Sequence, residues 1–214
     1  VAAKRVESLM LTLGHRVAQT TAEGPHLRYA LWTSGCTLRC PGCCNPDLFD
    51  PRAGKATSLV DILADIDESR QKNRIEGVSI LGGEPLQQLA ALTPLCEAIA
   101  TRGLGILVFT GYTFEEAQTI FGTAFDALWQ TIDTLIDGRY VATQRELPSS
   151  ASGRRFIGSQ NQRILHRTAR YEDPRLWQGS ARIEVQIDTN GRVQAHGDPR
   201  VLNSWLSEMQ RNGA

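Results

Sequence analysis

Apolar residues fall into short blocks that alternate with helical repeats. Strand-like runs occur at Leu27–Trp32, Val78–Leu81, Ile106–Thr110 and Thr134–Ile136. Between them, Leu59, Ile62, Leu63 and Ile66 recur at helical spacing, as do Leu89, Leu92, Leu95, Cys96 and Ile99. Thr113-Phe114-Glu115-Glu116 reads as a capping box and starts a third helix. Strands alternating with helices predict βαβ units and an α/β fold with a parallel sheet. Pro148–Gly153 is rich in Pro, Ser and Gly and predicts a flexible loop. No internal repeat is visible.

After His166 the pattern changes. Arg182–Asp188 and Arg192–His196 read as two strands joined through Thr189-Asn190-Gly191, a hairpin signal. A closing helix is predicted after Pro199, with Val201, Leu202, Trp205 and Leu206 apolar. The expected organisation is therefore residues 1–166 as a main domain and 167–214 as a small α+β extension. That extension is either an appendage or an edge of the same sheet.

Composition narrows the function. The chain has 214 residues, 41% hydrophobic and 21% charged, enough for one domain with a true core. Its formal net charge is zero, so no basic field invites nucleic acid. No apolar run reaches the roughly 20 residues of a membrane span, and Val1–Arg5 carries no signal-peptide pattern. The expectation is a cytoplasmic protein. There are five cysteines, and Cys36, Cys40, Cys43 and Cys44 crowd one short stretch while Cys96 stands apart. Such crowding in a reducing compartment points to a metal or redox site rather than to disulfides.

Cys36, Cys40 and Cys43 have the spacing C-x3-C-x2-C in a Gly/Pro-rich loop after a strand. A short irregular loop of this kind can wrap a 4Fe–4S cubane and present three thiolates to three irons. The fourth iron then has no protein ligand, and an open position marks a reactive metal site. Structural zinc is the main alternative, but it prefers paired knuckles, and only scattered histidines could form the second one. Cys44 is a conceivable fourth ligand. Adjacent cysteines are expected to point their sulfurs apart, which argues against it. Cys96 lies on the apolar face of a helix and reads as core. A second signal is Gly82-Gly83-Glu84-Pro85 at the end of the Val78–Leu81 strand. In parallel α/β folds ligands gather at the carboxyl ends of strands, and glycine admits close backbone approach. By itself this could be only a tight turn with Pro85 opening a helix.

Together these motifs resemble the radical S-adenosylmethionine (SAM) superfamily, and within it the activating enzymes of anaerobic (class III) ribonucleotide reductase. The resembling segments are Ser34–Asn45, Val78–Leu86, Phe109–Thr113 followed by Glu115-Glu116, Leu135–Tyr140 and Gly158–Gln162, spanning about residues 24–166. The first two belong to the whole superfamily; the last three resemble the reductase activators. The resemblance implies an incomplete (βα) barrel, a mainly parallel curved sheet with helices outside and the cluster loop at its top. It implies that Cys36, Cys40 and Cys43 ligate the cluster, with Gly42 and Cys44 meeting SAM. Gly82, Gly83 and Glu84 would run beside the methionyl amino group, and Thr110, Gly111 and Tyr112 would end another strand at the same mouth. Ser159, Asn161 and Gln162 match a family motif. One departure is Cys44, where the family commonly has an aromatic residue. The implied chemistry is reductive cleavage of SAM to a 5′-deoxyadenosyl radical. Its reductant would be a flavodoxin or ferredoxin, and its partner a glycyl radical enzyme. The alternative is a radical SAM enzyme acting directly on a peptide or small molecule, and a third reading is a non-enzymatic metal module. His15, His26, His166 and His196 are scattered and carry no assigned role. Arg39 is read as a partner contact or a solvated charge, and Arg154-Arg155 as an exposed loop pair.

Overall fold

The computed structural model describes residues 8–146, 153–180, 182–187 and 193–198, with Val201, Trp205, Ser207, Glu208 and Arg211 beyond them. The Pro148–Gly153 loop, apart from its last residue, and the Thr189-Asn190-Gly191 turn lie outside the described residues. The residues described after Pro199 are helical.

Seven strands form one mixed sheet. They are β1 (Met10–Thr20), β2 (Arg28–Thr33), β3 (Lys55–Ser58), β4 (Gly77–Gly82), β5 (Gly105–Phe109), β6 (Thr134–Asp137) and β7 (Arg163–His166), in the order β3-β1-β2-β4-β5-β6-β7. The four central strands β2, β4, β5 and β6 run parallel. They are buried almost throughout, which is why they read as continuous apolar runs rather than alternating ones. A mainly parallel sheet was expected, but both margins are antiparallel: β1 against β2 and β3, and β7 against β6. Strands β8 (Ile183–Ile187) and β9 (Val193–Gly197) form a separate two-stranded sheet.

Helices α1 (Leu59–Asn73), α2 (Leu89–Ala100), α3 (Phe114–Phe121) and α4 (Thr123–Trp129) are the α-helices among the described residues. The Thr113–Glu116 capping box forms as predicted. The single helix expected after it is two, because Gly122 adopts a positive φ of 53° and breaks the ladder. Ile62, Ile66, Leu92, Leu95 and Ile99 of the helices pack on Leu31, Ile80, Ile106 and Val108 of the sheet. Ser58 caps α1 by accepting from the Asp61 amide.

The opposite face of the sheet is covered differently. Val17, Ala30, Trp32, Leu48 and Leu81 form one cluster there. Leu107 and Ile136 form another with Ile157, Tyr171 and Trp177, so chain beyond β7 packs onto the sheet. Strand β1 escaped the sequence reading because a register irregularity between Leu13 and His15 interrupts its period. Leu11 and Leu13 face the helices, whereas Val17 faces the other way.

At the amino ends of the parallel strands sits Arg28, fully buried. Its guanidinium donates to Ser79 Oγ (2.8 Å), Tyr171 Oη (2.8 Å) and the carbonyls of Val78 (2.7 Å) and Gly105 (3.0 Å). Burial pulls its pKa down, but no neutral residue could satisfy this set of acceptors. Arg28→Met is expected to cost about 3 kcal/mol by leaving several buried acceptors unpaired, read as a shift in the urea unfolding midpoint.

Candidate functional site

The cysteine loop leaves the carboxyl end of β2 and is tied at its base. Ser34 N donates to Thr12 O (2.8 Å), Gly35 N to Leu48 O (2.8 Å) and Cys36 N to Phe49 O (3.1 Å). Gly35 and Gly42 carry φ values of 101° and 76°, which L side chains rarely adopt. Cys36, Cys40 and Cys43 are half-buried and Cys44 is exposed; all are free thiols. Burial raises the Cys36 thiol, although the amides of Arg39 and Leu38 are aimed at its sulfur. A hydrogen bond from the Cys44 thiol lowers Cys43 to about 6, helped by the Asn45 amide at 3.4 Å, and the same bond raises Cys44. Arg39 is folded over the Phe49 ring at 5.7 Å rather than extended. Cys96 is fully buried in α2 with its thiol raised by desolvation, a core residue as predicted.

Among the described residues no three His, Cys, Asp or Glu side chains stand in position to hold one metal ion. A tetrahedral ion needs convergent donors, whereas a cubane takes its three thiolates at three separate irons. Three half-buried thiols on one loop, one already drawn toward the thiolate, are a donor set suited to iron–sulfur ligation.

The second motif is welded to the first. Gly83 N donates to Thr33 O (2.7 Å) and Glu84 N to Gly35 O (2.9 Å). A Cβ on Gly83 would strike the Gly35 carbonyl, and one on Gly82 (φ 112°) would strike Thr33. Both glycines thus serve a close backbone approach to the root of the cysteine loop. The Glu84 carboxylate is 1% exposed. It accepts from Leu86 N (3.0 Å), Thr110 Oγ1 (2.8 Å) and Gly111 N (2.8 Å). Burial raises it to about 7 against the pull of these donors and of Arg139. The donors of Thr110 and Gly111 are accordingly spent on Glu84. Tyr112 is buried, and its hydroxyl accepts from Gln87 Nε2 at 3.1 Å.

Gln87 and Gln88 were missed from sequence. Gln87 bonds Thr37 inside the cysteine loop (2.6 Å), while Gln88 bonds Thr12 and the Ser34 carbonyl. Two successive glutamines opening an otherwise apolar helix were the available signal.

The remaining motifs form a clamp. Gln162 accepts from Gly158 N (2.9 Å) and Ser159 N (3.1 Å) and donates to Gly138 O (2.9 Å). Asn161 donates to Arg139 O (2.8 Å), and Ser159 accepts from Val141 N (3.1 Å). Arg139 pairs with Glu116 at 2.8 Å and lies 5.8 Å from the Tyr112 ring. Tyr140 sits against Gly42, so the clamp meets the cysteine loop. Arg154, expected as an exposed loop residue, instead bonds Glu146 and the carbonyls of Ser159, Gln160 and Gln162. A cavity of about 340 Å³ lies at the opposite end of the sheet, lined in part by His26, Arg70, Arg102 and Arg170. Arg102 is held by Asp67 and Arg170 by the Gly103 carbonyl. No helix among the described residues is long and apolar enough to cross a membrane.

Residues 22–165 match the family described as "4Fe-4S single cluster domain". The chain is 32% identical over 151 residues to the anaerobic ribonucleoside-triphosphate reductase-activating protein of Vibrio cholerae, covering 67% of this chain and 90% of that one. It is 28% identical over 149 residues to the protein of the same name from Enterobacteria phage T4, covering 68% and 87%. It is 29% identical over 150 residues to the pyruvate formate-lyase-activating enzyme of Staphylococcus epidermidis, covering 68% and 57%.

The Glu84 geometry sets a pH dependence. Its native value, about 7, lies above the ordinary 4.5. Its contribution to stability is therefore complete below pH 4.5 and is lost as pH rises through about 7. Glu84→Gln removes that titration and replaces one accepting oxygen by an amide NH2, which then faces either Gly111 N or the Leu86 N and Thr110 Oγ1 pair. The wild type's stability advantage over Glu84→Gln, measured by thermal unfolding, is expected to be largest near pH 4.5 and to shrink as the pH rises through about 7.

Proposed function

The chain belongs to the 4Fe–4S single cluster domain family, and from that premise we propose that it is a radical SAM enzyme that installs a glycyl radical on an anaerobic ribonucleotide reductase. The observation that carries this reading is the stitching of the three-thiol loop to the Gly82–Glu84 strip at the carboxyl ends of β2 and β4. The relatives named as reductase- and lyase-activating proteins support the choice of partner class. In this reading residues 1–166 are an incomplete (βα) barrel and 167–214 an extension, of which Tyr171 and Trp177 pack on the sheet. A cytoplasmic setting and a flavodoxin- or ferredoxin-type reductant suit such chemistry.

Cys36, Cys40 and Cys43 would hold the cluster, leaving one iron for SAM. The bound cluster supplies one-electron cleavage of SAM into methionine and a 5′-deoxyadenosyl radical, which takes the hydrogen atom. The chain's residues hold and enclose the reactants. The amides of Gly83 and Glu84 already donate to Thr33 and Gly35, so this strip offers an amino group carbonyl oxygen, the acceptor an ammonium needs. Glu84 acts through position, holding the Thr110–Gly111–Tyr112 turn against that strip. Gly42 and Cys44 bring the loop toward the adenosyl side, and Tyr140 against Gly42 offers an aromatic face where Cys44 has none. A second reading, direct action on another peptide or small molecule, draws on the extension packed over the sheet.

Anaerobic reconstitution with iron and sulfide, then dithionite and SAM, is expected to yield 5′-deoxyadenosine. Adding the reductase should give a glycyl doublet by EPR; brisk cleavage without a doublet would favour the second reading. Cys36→Ala, Cys40→Ala and Cys43→Ala are each expected to abolish SAM cleavage and the cluster's visible absorbance. Cys96→Ala and Cys44→Ala should retain the absorbance, and its loss in Cys44→Ala would overturn the ligand assignment.

A further inference from the structure

The cavity of about 340 Å³ at the amino ends of the parallel strands is built from separate connections. His26 precedes β2, Ile75 and Glu76 precede β4, and Gly103 and Leu104 precede β5. Arg170 and Tyr171 come from beyond β7, outside the matched residues 22–165. Ligands of parallel sheets ordinarily gather at the carboxyl ends of strands, the end that the cysteine loop occupies here. A ligand in this cavity therefore needs its own chemical reason, and the lining supplies one.

Several donors in it are unused. Tyr171 is 1% exposed, and its Oη accepts from Arg28 Nη1 at 2.8 Å. A guanidinium offers no acceptor, so the hydroxyl's own proton is left over, and it meets no acceptor among the described residues. A buried donor without an acceptor costs free energy that a bound acceptor would recover. A Cβ on Gly105 would strike both Tyr171 Oη and Arg170 Nη1, so these two donors stand together over that glycine. Arg170 gives Nη2 to the Gly103 carbonyl (2.9 Å), which leaves Nη1. The Arg70 guanidinium has no hydrogen-bond partner among the described residues. Behind Tyr171, Arg28 gives all its bonds to neutral acceptors, so no bonded carboxylate offsets its charge. Cations at the ends of α1 and α2 also offset helix dipoles, and Arg102 serves in that way, bonded to Asp67 and the Ala98 carbonyl. Arg170 and Tyr171 belong to neither helix, so that account leaves them unexplained.

We propose that this cavity binds the phosphate group of a small phosphorylated molecule, held by Arg170, the Tyr171 hydroxyl and Arg70. Donors arriving from different segments suit a tetrahedral acceptor with three terminal oxygens, and the surplus of arginine suits its double charge. A carboxylate would use fewer of them, in one plane. The volume falls at the low end of small-ligand pockets, about 300–1,000 Å³, and exceeds what a bare phosphate needs. Ile75 and Leu104, each 5% exposed, offer the rest of the ligand an apolar contact. Glu76 is the carboxylate in the lining, and it opposes the anion. The site stands at the other end of the strands from the cysteine loop and does not depend on the radical SAM reading.

The test is isothermal titration calorimetry on the full chain, reconstituted anaerobically with iron and sulfide, using inorganic phosphate, glycerol 3-phosphate and glycerol. Both phosphates are expected to bind and glycerol not to. Tighter binding of glycerol 3-phosphate marks a phosphate ester as the ligand, and equal binding marks free phosphate. Arg170→Gln and Arg70→Gln should each weaken binding about tenfold. Glu76→Gln should tighten it, an effect that a loss of fold would not produce. Lys55→Gln, on β3 and outside the lining, makes the same charge change as the arginine variants and should leave binding unaltered. Arg70 is exposed and unbonded, so its variant stays informative if Arg170→Gln proves unfolded on heating without ligand. No heat from either phosphate at millimolar concentration would overturn the site. So would a Lys55→Gln effect as large as that of Arg70→Gln, since binding would then follow net charge alone.

Discussion

One buried carboxylate determines the shape of the site. Glu84 leaves the end of β4 and takes hydrogen bonds from the start of the next helical turn and from the Thr110–Gly111 turn after β5. Its own amide reaches back to the Gly35 carbonyl at the root of the cysteine loop. Three segments far apart in sequence therefore meet at one residue. A carboxylate suits this junction because it accepts several donors at once from a solvent-free position. The cost of desolvating it is visible in its raised pKa.

The other motif residues act in the same manner. Gln162, Asn161 and Ser159 bind backbone atoms of the Gly138–Val141 stretch, and Asp137, fully buried, accepts from Phe114 N and Arg163. Gln87 and Gln88 anchor the cysteine loop to α2's entry. The polar groups that distinguish this sequence are mostly committed to fixing backbone. What they leave exposed to a reactant is the half-buried thiols and carbonyl edges. That division fits chemistry whose hard step belongs to a cofactor while the protein supplies position.

The sheet has two unlike faces. One face is sealed by four helices through a continuous apolar core. The other is patched by Ile157, Tyr171 and Trp177, and by His196, whose ring meets the edge of Trp32.

The sequence by itself determined the parallel core and the chemistry-bearing loop. Strands buried on both faces are continuous apolar runs, helices carry their own period, and three cysteines at C-x3-C-x2-C need no distant residue to be recognised. The capping box at Thr113 and the burial of Cys96 were equally local. Tertiary structure decided the rest, because those features depend on partners far away in the chain. The irregularity after Leu13 hid β1, whose side chains change faces partway along. Arg154 reads as a loop charge until Glu146 and three carbonyls surround it. Glu84's three donors and the inward turn of His196 likewise exist only once strands from opposite parts of the sequence are side by side. A local pattern can report which residues prefer burial, but which groups satisfy one another is a property of the assembled fold.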